Sequence, residues 1–124
     1  MVSSGTQLLA ASLLAVATAA CEGKAAGPDN FTGDARRGTD LVKQYKCGAC
    51  HDIPGIAGAD GNVGPPLHRS GTRTYIAGYI QNSPDNMADW IEDPQRALPG
   101  NAMPRMGIPQ KDARDIAAFL YTLK

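Results

Sequence analysis

The chain has 124 residues with 12 basic and 12 acidic side chains, so its formal net charge is zero. No overall field draws it to nucleic acid, and a charged partner must be met by a local patch. Fourteen glycines, nine prolines, and only one tryptophan, four tyrosines and two phenylalanines predict a loop-rich molecule whose side chains alone make a thin core.

Residues 1–20 carry no charged side chain, and the stretch from Leu8 to Ala20 is apolar or small. This pattern predicts a signal peptide, because the apolar run is short for a membrane span and small residues stand at the expected cleavage point. The residues TAAC at 18–21 resemble a bacterial lipoprotein processing site, in which Cys21 becomes the lipid-bearing first residue. The alternative is an ordinary cut that leaves an unpaired thiol. We therefore expect an exported, periplasmic protein with Cys21 as the point of membrane attachment.

A polar linker follows the predicted signal peptide. Residues 22–33, EGKAAGPDNFTG, are rich in glycine, alanine and polar groups and show no apolar period, which is typical of a flexible tether. We assign residues 21–33 to this tether and residues 34–124 to one folded domain.

The domain begins with a predicted helix. Asp34 can cap it, and apolar residues recur at helical spacing at Ala35, Leu41, Val42 and Tyr45. The helix leads directly into CGACH at 47–51. Glycines and prolines are then frequent over residues 52–72, which predicts a long ordered loop of the kind that wraps around something.

Three further helices are predicted, over Thr74–Ile80, Met87–Ile91 and Gln110–Leu123. An irregular segment of residues 94–109, with four prolines, separates the last two. The final helix has a broad apolar stripe. No alternating strand pattern and no internal repeat is visible in the sequence. The predicted fold is therefore a single all-α domain of three to five helices with long Gly/Pro-rich loops.

CGACH concentrates the reactive side chains of the chain. On a helical turn, Cys47, Cys50 and His51 stand at i, i+3 and i+4 and project from one face. C-x-x-C-H is the attachment signature of c-type haem, in which two thiols bind the macrocycle and the histidine binds the iron. A redox dithiol needs a β-α-β setting, a zinc site needs a fourth ligand, and a disulfide leaves His51 without a role. The motif therefore favours covalent haem attachment.

The domain resembles the class I c-type cytochromes, in particular the small bacterial monohaem members of the periplasmic or lipoprotein type. The resemblance covers most of residues 34–124. It rests on the order of CGACH, GPPL at 64–67, PGNAM at 99–103 and the final helix DIAAFLYTL. It implies one covalent haem c, bonded to Cys47 and Cys50 and ligated by His51.

The sixth iron ligand has several candidates, namely His68 and the methionines that remain after the leader is removed. The resemblance implies Met103, because the ligand of the family occupies this methionine of the P-G-x-x-M pattern. Met106 and Met87 are then packing or surface residues, as is usual for methionine, and His68 is a surface or structural histidine.

The resemblance implies roles for three more residues at the haem. The Pro65 carbonyl is expected to accept the second imidazole proton of His51 and fix the ring. Arg73 is expected to meet a haem propionate, with a solvated loop arginine as the alternative. Trp90 is expected to line the pocket near the methionine side.

One further pair concerns the fold. Close helix crossings need a residue without a side chain at the contact, over which an aromatic ring can lie. In the family a glycine of the first helix meets an aromatic residue of the last, and Gly38 and Phe119 fit these positions.

Haem with histidine and methionine ligands has no open coordination site. We therefore expect an electron-transfer protein, not an enzyme, that relays electrons between respiratory or dehydrogenase complexes and a terminal oxidase or reductase. Its exposed haem edge would be ringed by Lys46, Arg69 and Arg105. Two alternatives stay open: a fixed haem subunit of a larger oxidoreductase, and a haem with an open sixth site for gas binding or peroxide chemistry. We expect a monomer or a complex subunit.

Overall fold

Four α-helices form the frame of the domain in a computed structural model, which describes residues 31–124. The predicted signal peptide, Cys21 and most of the predicted tether lie outside the described residues. The helices are α1 (Ala35–Gln44), α2 (Pro84–Glu92), α3 (Pro94–Ala97) and α4 (Gln110–Leu120). Two 3-10 turns (Cys47–Ala49 and Ser70–Thr72) and the short strands β1 (Tyr75–Ile76) and β2 (Ile80–Gln81) complete the fold. The prediction of three to five helices is confirmed.

α1 begins where the sequence predicts. The Asp34 carboxylate accepts hydrogen bonds from the backbone N–H groups of Arg36 (3.0 Å) and Arg37 (3.2 Å), which satisfies two of the free donors at the helix start. Leu41 and Val42 are buried on the inner face of the helix. α1 therefore forms from its cap and its apolar stripe together.

α1 and α4 cross in close contact at Gly38. A Cβ atom on Gly38 would lie 2.0 Å from the Asp115 carbonyl oxygen and 2.9 Å from Phe119 Cβ. Any side chain at this position would push the helices apart, because packed interiors leave no such space. The predicted contact between Gly38 and Phe119 is confirmed.

Charged and polar side chains also join α1 to α4. The Arg37 guanidinium binds the Asp112 carboxylate (2.6 Å) and the nearly buried Asp115 carboxylate, and the Tyr45 hydroxyl donates to Asp112 (2.8 Å). The hydrogen bond from Tyr45, followed by that from Arg37, lowers the pKa of Asp112 below its ordinary value. The same bond to Asp112 raises the pKa of Tyr45. The crossing is thus held by packing and by a charge network.

α2 packs against α4 and completes the apolar core. Met87, Ala88 and Ile91 of α2 are buried, as are Ile116 and Leu120 of α4. Phe31 also packs against this core, and the Arg114 guanidinium lies over its ring at 5.0 Å. Phe31, which the sequence assigned to the tether, therefore packs with the domain.

The segment predicted as a helix over Thr74–Ile80 is a β-hairpin, so that prediction is wrong. β1 pairs antiparallel with β2, with Tyr75 opposite Gln81 and Ile76 opposite Ile80. Residues 77–79 connect the strands, Ala77 (φ 50°) and Gly78 (φ 80°) are the two central residues of the turn, and the Tyr79 N–H donates to the Ile76 carbonyl (3.1 Å). Two successive turn residues in the left-handed conformation give a turn whose twist matches that of the paired strands. The β-branched and aromatic residues on either side of the turn favour extended backbone.

The segment of residues 94–109 also differs from its prediction, because it begins with a short helix. Pro94 does not merely interrupt α2: it stands in the first turn of α3, capped by the Asp93 carboxylate through the Arg96 N–H (3.0 Å). Proline is well suited to a first helical position, where its missing N–H has no partner to lose. Residues 98–109 remain irregular; we call them the Met103 strap.

The last two predicted helices are present with shifted bounds. α2 starts at Pro84, capped by Ser83, three residues before the predicted start at Met87. α4 ends at Leu120, three residues before the predicted end. None of the helices in residues 31–124 has the length and apolar character needed to cross a membrane.

Candidate haem site

CGACH forms a tight turn at the end of α1. Lys46 leaves the helix in the left-handed conformation (φ 55°), and Cys47–Ala49 form a 3-10 turn. The N–H groups of Cys50 and His51 both donate to the Cys47 carbonyl, at 3.1 and 3.0 Å. Cys47 and Cys50 are free thiols, and burial raises the pKa of the Cys47 thiol. The turn therefore presents two thiols and an imidazole from one short segment, without a disulfide between the two cysteines.

The following loop folds back onto this turn through glycines. A Cβ atom on Gly64 would lie 2.4 Å from the His51 ring, and one on Gly61 would lie 2.6 Å from the Ala49 carbonyl group. The Gly64 N–H donates to the Cys50 carbonyl at 2.8 Å. Backbone can approach the imidazole this closely only where no side chain intervenes. The glycine-rich loop is therefore a packing surface for His51.

The His51 ring is oriented by the backbone of Pro65. Its Nδ1 lies 2.7 Å from the Pro65 carbonyl oxygen. A carbonyl can only accept, so Nδ1 is the hydrogen-bond donor, and Nε2 is the ring nitrogen left for a metal ion. An imidazole held through one nitrogen by a backbone carbonyl is the usual arrangement of a metal-binding histidine. His51 can therefore offer Nε2 to a metal ion.

A cavity of about 550 Å³ lies beside the turn. Apolar side chains from α1, α2 and α4 form much of its wall, among them Val42, Met87, Ile116 and Leu120. The wall also contains every residue that the sequence analysis assigned to the cofactor: Cys47, Cys50, His51, Pro65, Arg73, Trp90 and Met103. Two thiols, an imidazole and a thioether around an apolar space of this size are a donor set that fits a covalently attached haem.

Met103 reaches the cavity from the Met103 strap, whose shape is set by side-chain amides. The Met103 N–H donates to Asn101 Oδ1 (2.7 Å), and the Met103 carbonyl accepts from Gln95 Nε2 (2.9 Å). Asn101 Nδ2 also donates to the carbonyls of Pro94 and Leu98, both at 2.8 Å. Both backbone polar groups of Met103 are thus fixed by side chains in place of secondary structure.

Arg105, which the sequence analysis placed on a basic rim, binds the Asp93 carboxylate. Asp93 is 5 % exposed. Its burial would raise its pKa, but the Arg96 backbone N–H and the guanidinium of Arg105 lower it below the ordinary value overall. Arg105 therefore fastens the Met103 strap to the start of α3. Lys46 and Arg69, the other two predicted rim residues, are exposed.

Arg73 lines the cavity and also braces the loop around it. Its Nη2 donates to the backbone carbonyls of Pro66 and His68, so part of its hydrogen-bonding capacity is used within the protein. A role at a haem propionate remains a prediction.

The other candidate iron ligands stand apart from the cavity or belong to the core. Met106 is 45 % exposed and is absent from the cavity wall. His68 is exposed and pairs with Asp52 through Nε2 at 2.8 Å. Met87 is buried, as predicted for a packing residue, and it also forms part of the cavity wall.

Sequence reasoning did not identify the side chains that hold the strap. Gln95, Asn101 and Asp93 carry no periodic signal, and only the position of two amides beside the P-G-x-x-M pattern hints at them. Glutamine and asparagine can satisfy backbone N–H and C=O groups together, so amides flanking an irregular segment are the feature to look for.

The family model for cytochrome c matches residues 35–124. The chain is 33 % identical over 104 residues to a cytochrome c of Arabidopsis thaliana, covering 73 % of this chain and 90 % of the relative. It is 34 % identical over 91 residues to cytochrome c oxidase subunit 2 of Alkalihalophilus pseudofirmus, covering 73 % of this chain. The chain spans only 26 % of the length of that subunit.

The fold has a counterpart among solved structures. Cytochrome c2 from Rhodobacter sphaeroides superposes with a TM-score of 0.54 over 74 % of this chain and 97 % of that protein, at 21 % identity. Together with the family match and the CGACH turn on the cavity wall, this fold leads to one conclusion: the chain belongs to the cytochrome c family, is an electron-transfer protein, and binds one covalent haem c.

Proposed function

We propose that this protein is a one-electron carrier in which His51 and Met103 are the two axial ligands of the haem iron. The observation that carries this proposal is that His51, whose Nδ1 is bonded to the Pro65 carbonyl, and Met103 line the same cavity as both cysteines. When bound, haem supplies an iron that alternates between the ferrous and ferric states.

The protein would contribute the rigidity of this site. Pro65 fixes the His51 ring, the glycines of the following loop close around it, and Gln95 and Asn101 hold the Met103 backbone. Ligands held in place in both oxidation states need little rearrangement when an electron moves. The apolar residues of α1, α2 and α4 in the cavity wall would limit the access of water to the iron.

Spectra of the full chain, matured in a host that attaches haem c, test the ligand assignment. The oxidised protein should show the sulfur-to-iron absorption band, and the reduced protein should resist CO. Met103→Ala should abolish the band and make the reduced protein bind CO, because the sixth position is then open.

Met106→Ala is the matched control, since it removes an exposed methionine three residues away in the same strap. It should leave both the band and the CO response unchanged. Wild-type protein that binds CO readily, or loss of the band in Met106→Ala only, would contradict the assignment. The first of these outcomes would favour a haem with an open sixth site.

We propose that the redox partners are a respiratory or dehydrogenase complex as donor and a terminal oxidase or reductase as acceptor. The likeness to about a quarter of an oxidase subunit 2 also favours a second candidate, a fixed haem subunit of a larger oxidoreductase. Purification from native membranes separates them, because a fixed subunit remains with its complex in constant ratio whereas a free carrier does not.

Export and membrane attachment are proposals that rest on the sequence of residues 1–21. An apolar leader followed by TAAC supports periplasmic location and lipidation of Cys21. Mass spectrometry of the membrane fraction should find acyl chains on Cys21, and Cys21→Ser should move the protein to the soluble fraction. An unmodified N-terminus in a soluble wild-type protein would exclude the anchor.

A further inference from the structure

Gln95 has an unusual set of contacts for a residue on a four-residue helix. Its Nε2 donates to the carbonyls of both Asn101 and Met103, each at 2.9 Å. Its Oε1 accepts from the Gly100 N–H at 3.1 Å. One side-chain amide therefore binds three backbone groups of the Met103 strap, and uses both its donor and its acceptor ends.

One of these contacts holds the backbone of Met103, the proposed sixth ligand of the iron. The strap has no strand or helix of its own between residues 98 and 109. The Asn101 N–H donates to the Leu98 carbonyl, but both backbone polar groups of Met103 are bonded to side chains. Of the two amides that fix Met103, Asn101 belongs to the strap and reaches α3 only through its own bond to the Pro94 carbonyl, whereas Gln95 is on α3. Gln95 thus connects the Met103 carbonyl to the helical frame.

We infer that Gln95 is a positioning residue for Met103, which its amide keeps within reach of the iron. The inference rests on the proposed function, because it takes Met103 to be the sixth ligand. A neutral thioether has no charge to hold it at the metal, so the fraction of molecules with an open sixth position depends on how firmly the backbone is held. An external ligand binds only that open fraction, and its apparent affinity reports the fraction directly.

Titration of the oxidised protein with imidazole, followed by loss of the sulfur-to-iron band, measures this fraction. Gln95→Ala removes all three bonds and should raise the imidazole affinity about tenfold, the effect of losing one to two net hydrogen bonds. Gln95→Glu keeps the shape and the acceptor for Gly100 but removes the donor to Met103. It should raise the affinity to a similar extent, and it tests the idea even if Gln95→Ala folds poorly.

Two controls separate positioning from general stability. Gln44→Ala removes an exposed glutamine at the end of α1, outside the strap. Tyr45→Phe weakens the α1–α4 crossing by removing the bond to Asp112. Both should leave the imidazole affinity within about twofold of wild type, although Tyr45→Phe lowers the stability of the fold.

The outcomes distinguish this inference from the proposed function. If wild type shows the band, Met103→Ala loses it, and both Gln95 variants bind imidazole like wild type, the positioning role is overturned while the ligand assignment stands. An equal rise in Tyr45→Phe also overturns it, because the effect would then follow global stability. If wild type shows no band, the ligand assignment fails and the inference fails with it.

Discussion

The α1–α4 crossing and the Met103 strap are built on opposite principles. At the crossing, regular helices approach so closely that Gly38 has no room for a Cβ atom, and charges on the helix surfaces complete the contact. In the strap, the backbone is irregular and is held by amide side chains and by the Arg105–Asp93 pair. The crossing depends on close packing supported by a charge network, and the strap depends on hydrogen bonds to individual backbone groups supported by one ion pair.

The difference suggests how the two regions should respond to substitution. Damage to a packed crossing affects the whole fold, because both helices contribute to the same core. Loss of a bond in the strap leaves that core intact and releases a local segment, which can open at lower cost than global unfolding. Changes at the crossing should therefore alter stability first, and changes in the strap should alter the iron ligation first.

The largest effect is expected at Gly38. Gly38→Ala places a Cβ atom 2.0 Å from the Asp115 carbonyl oxygen, so α1 and α4 must separate. We expect the free energy of unfolding to fall by about 3 kcal/mol, which outweighs the better helix propensity of alanine. Chemical denaturation of the haem protein measures the change.

Gly55→Ala is the control for Gly38→Ala. Gly55 has a positive φ of 78° and no atom within 4 Å of a built Cβ, so the substitution costs only backbone strain, about 1 kcal/mol. If Gly38→Ala and Gly55→Ala lowered the free energy of unfolding equally, the close contact between α1 and α4 would not be the cause of the loss at Gly38.

A smaller effect on stability, with a larger effect on ligation, is expected at Asn101. Asn101→Ala removes three hydrogen bonds to the backbone of Pro94, Leu98 and Met103. We expect a loss of about 2 kcal/mol, and loss of the sulfur-to-iron band at a denaturant concentration below the unfolding midpoint. In wild type the two transitions should coincide more closely.

The exposed Asn62 provides the matched substitution for Asn101, because it lies outside the strap. Asn62→Ala should change neither transition. Coincident transitions in Asn101→Ala would mean that the strap unfolds only with the whole domain.

The smallest effect is expected from acid at the crossing. The pKa of Asp112 is lowered in the folded protein by the Tyr45 hydroxyl and then by Arg37. Its contribution is therefore complete above the ordinary aspartate pKa of about 4 and is lost as the pH falls toward the lowered value. Because the network is partly open to water, we expect a contribution of about 1 kcal/mol at most.

Asp112→Asn should lower the free energy of unfolding at pH 7. At pH 3 the free energies of unfolding of the variant and of wild type should lie closer together, because Asp112 of wild type is then partly protonated. Asp40→Asn, which changes a carboxylate on α1 with an 82 % exposed side chain, should have little effect at either pH. A difference between wild type and Asp112→Asn that is constant with pH would exclude this titration.

The regular part of the fold could be predicted from the sequence because its signals are periodic and local. The Asp34 cap and the apolar stripe of α4 follow from helix geometry, and the Gly38–Phe119 contact was implied by the family resemblance. The hairpin over Tyr75–Gln81 was missed because its turn has Ala77 in a left-handed conformation, where glycine or asparagine would have indicated the turn. Gln95 was missed because its role depends on which backbone groups the strap leaves unsatisfied, and that is a property of the folded chain alone.

α4 belongs to the crossing and also to the cavity wall, since residues on one side of it meet α1 and residues on another side line the cavity. Asp115 and Phe119 contact Gly38, whereas the next residues in sequence, Ile116 and Leu120, line the cavity. One helix therefore forms both the close contact with α1 and part of the cavity wall. A substitution of Asp115 or Phe119 that shifts α4 at the crossing should therefore also displace Ile116 and Leu120 in the cavity wall, although neither substituted residue lines the cavity.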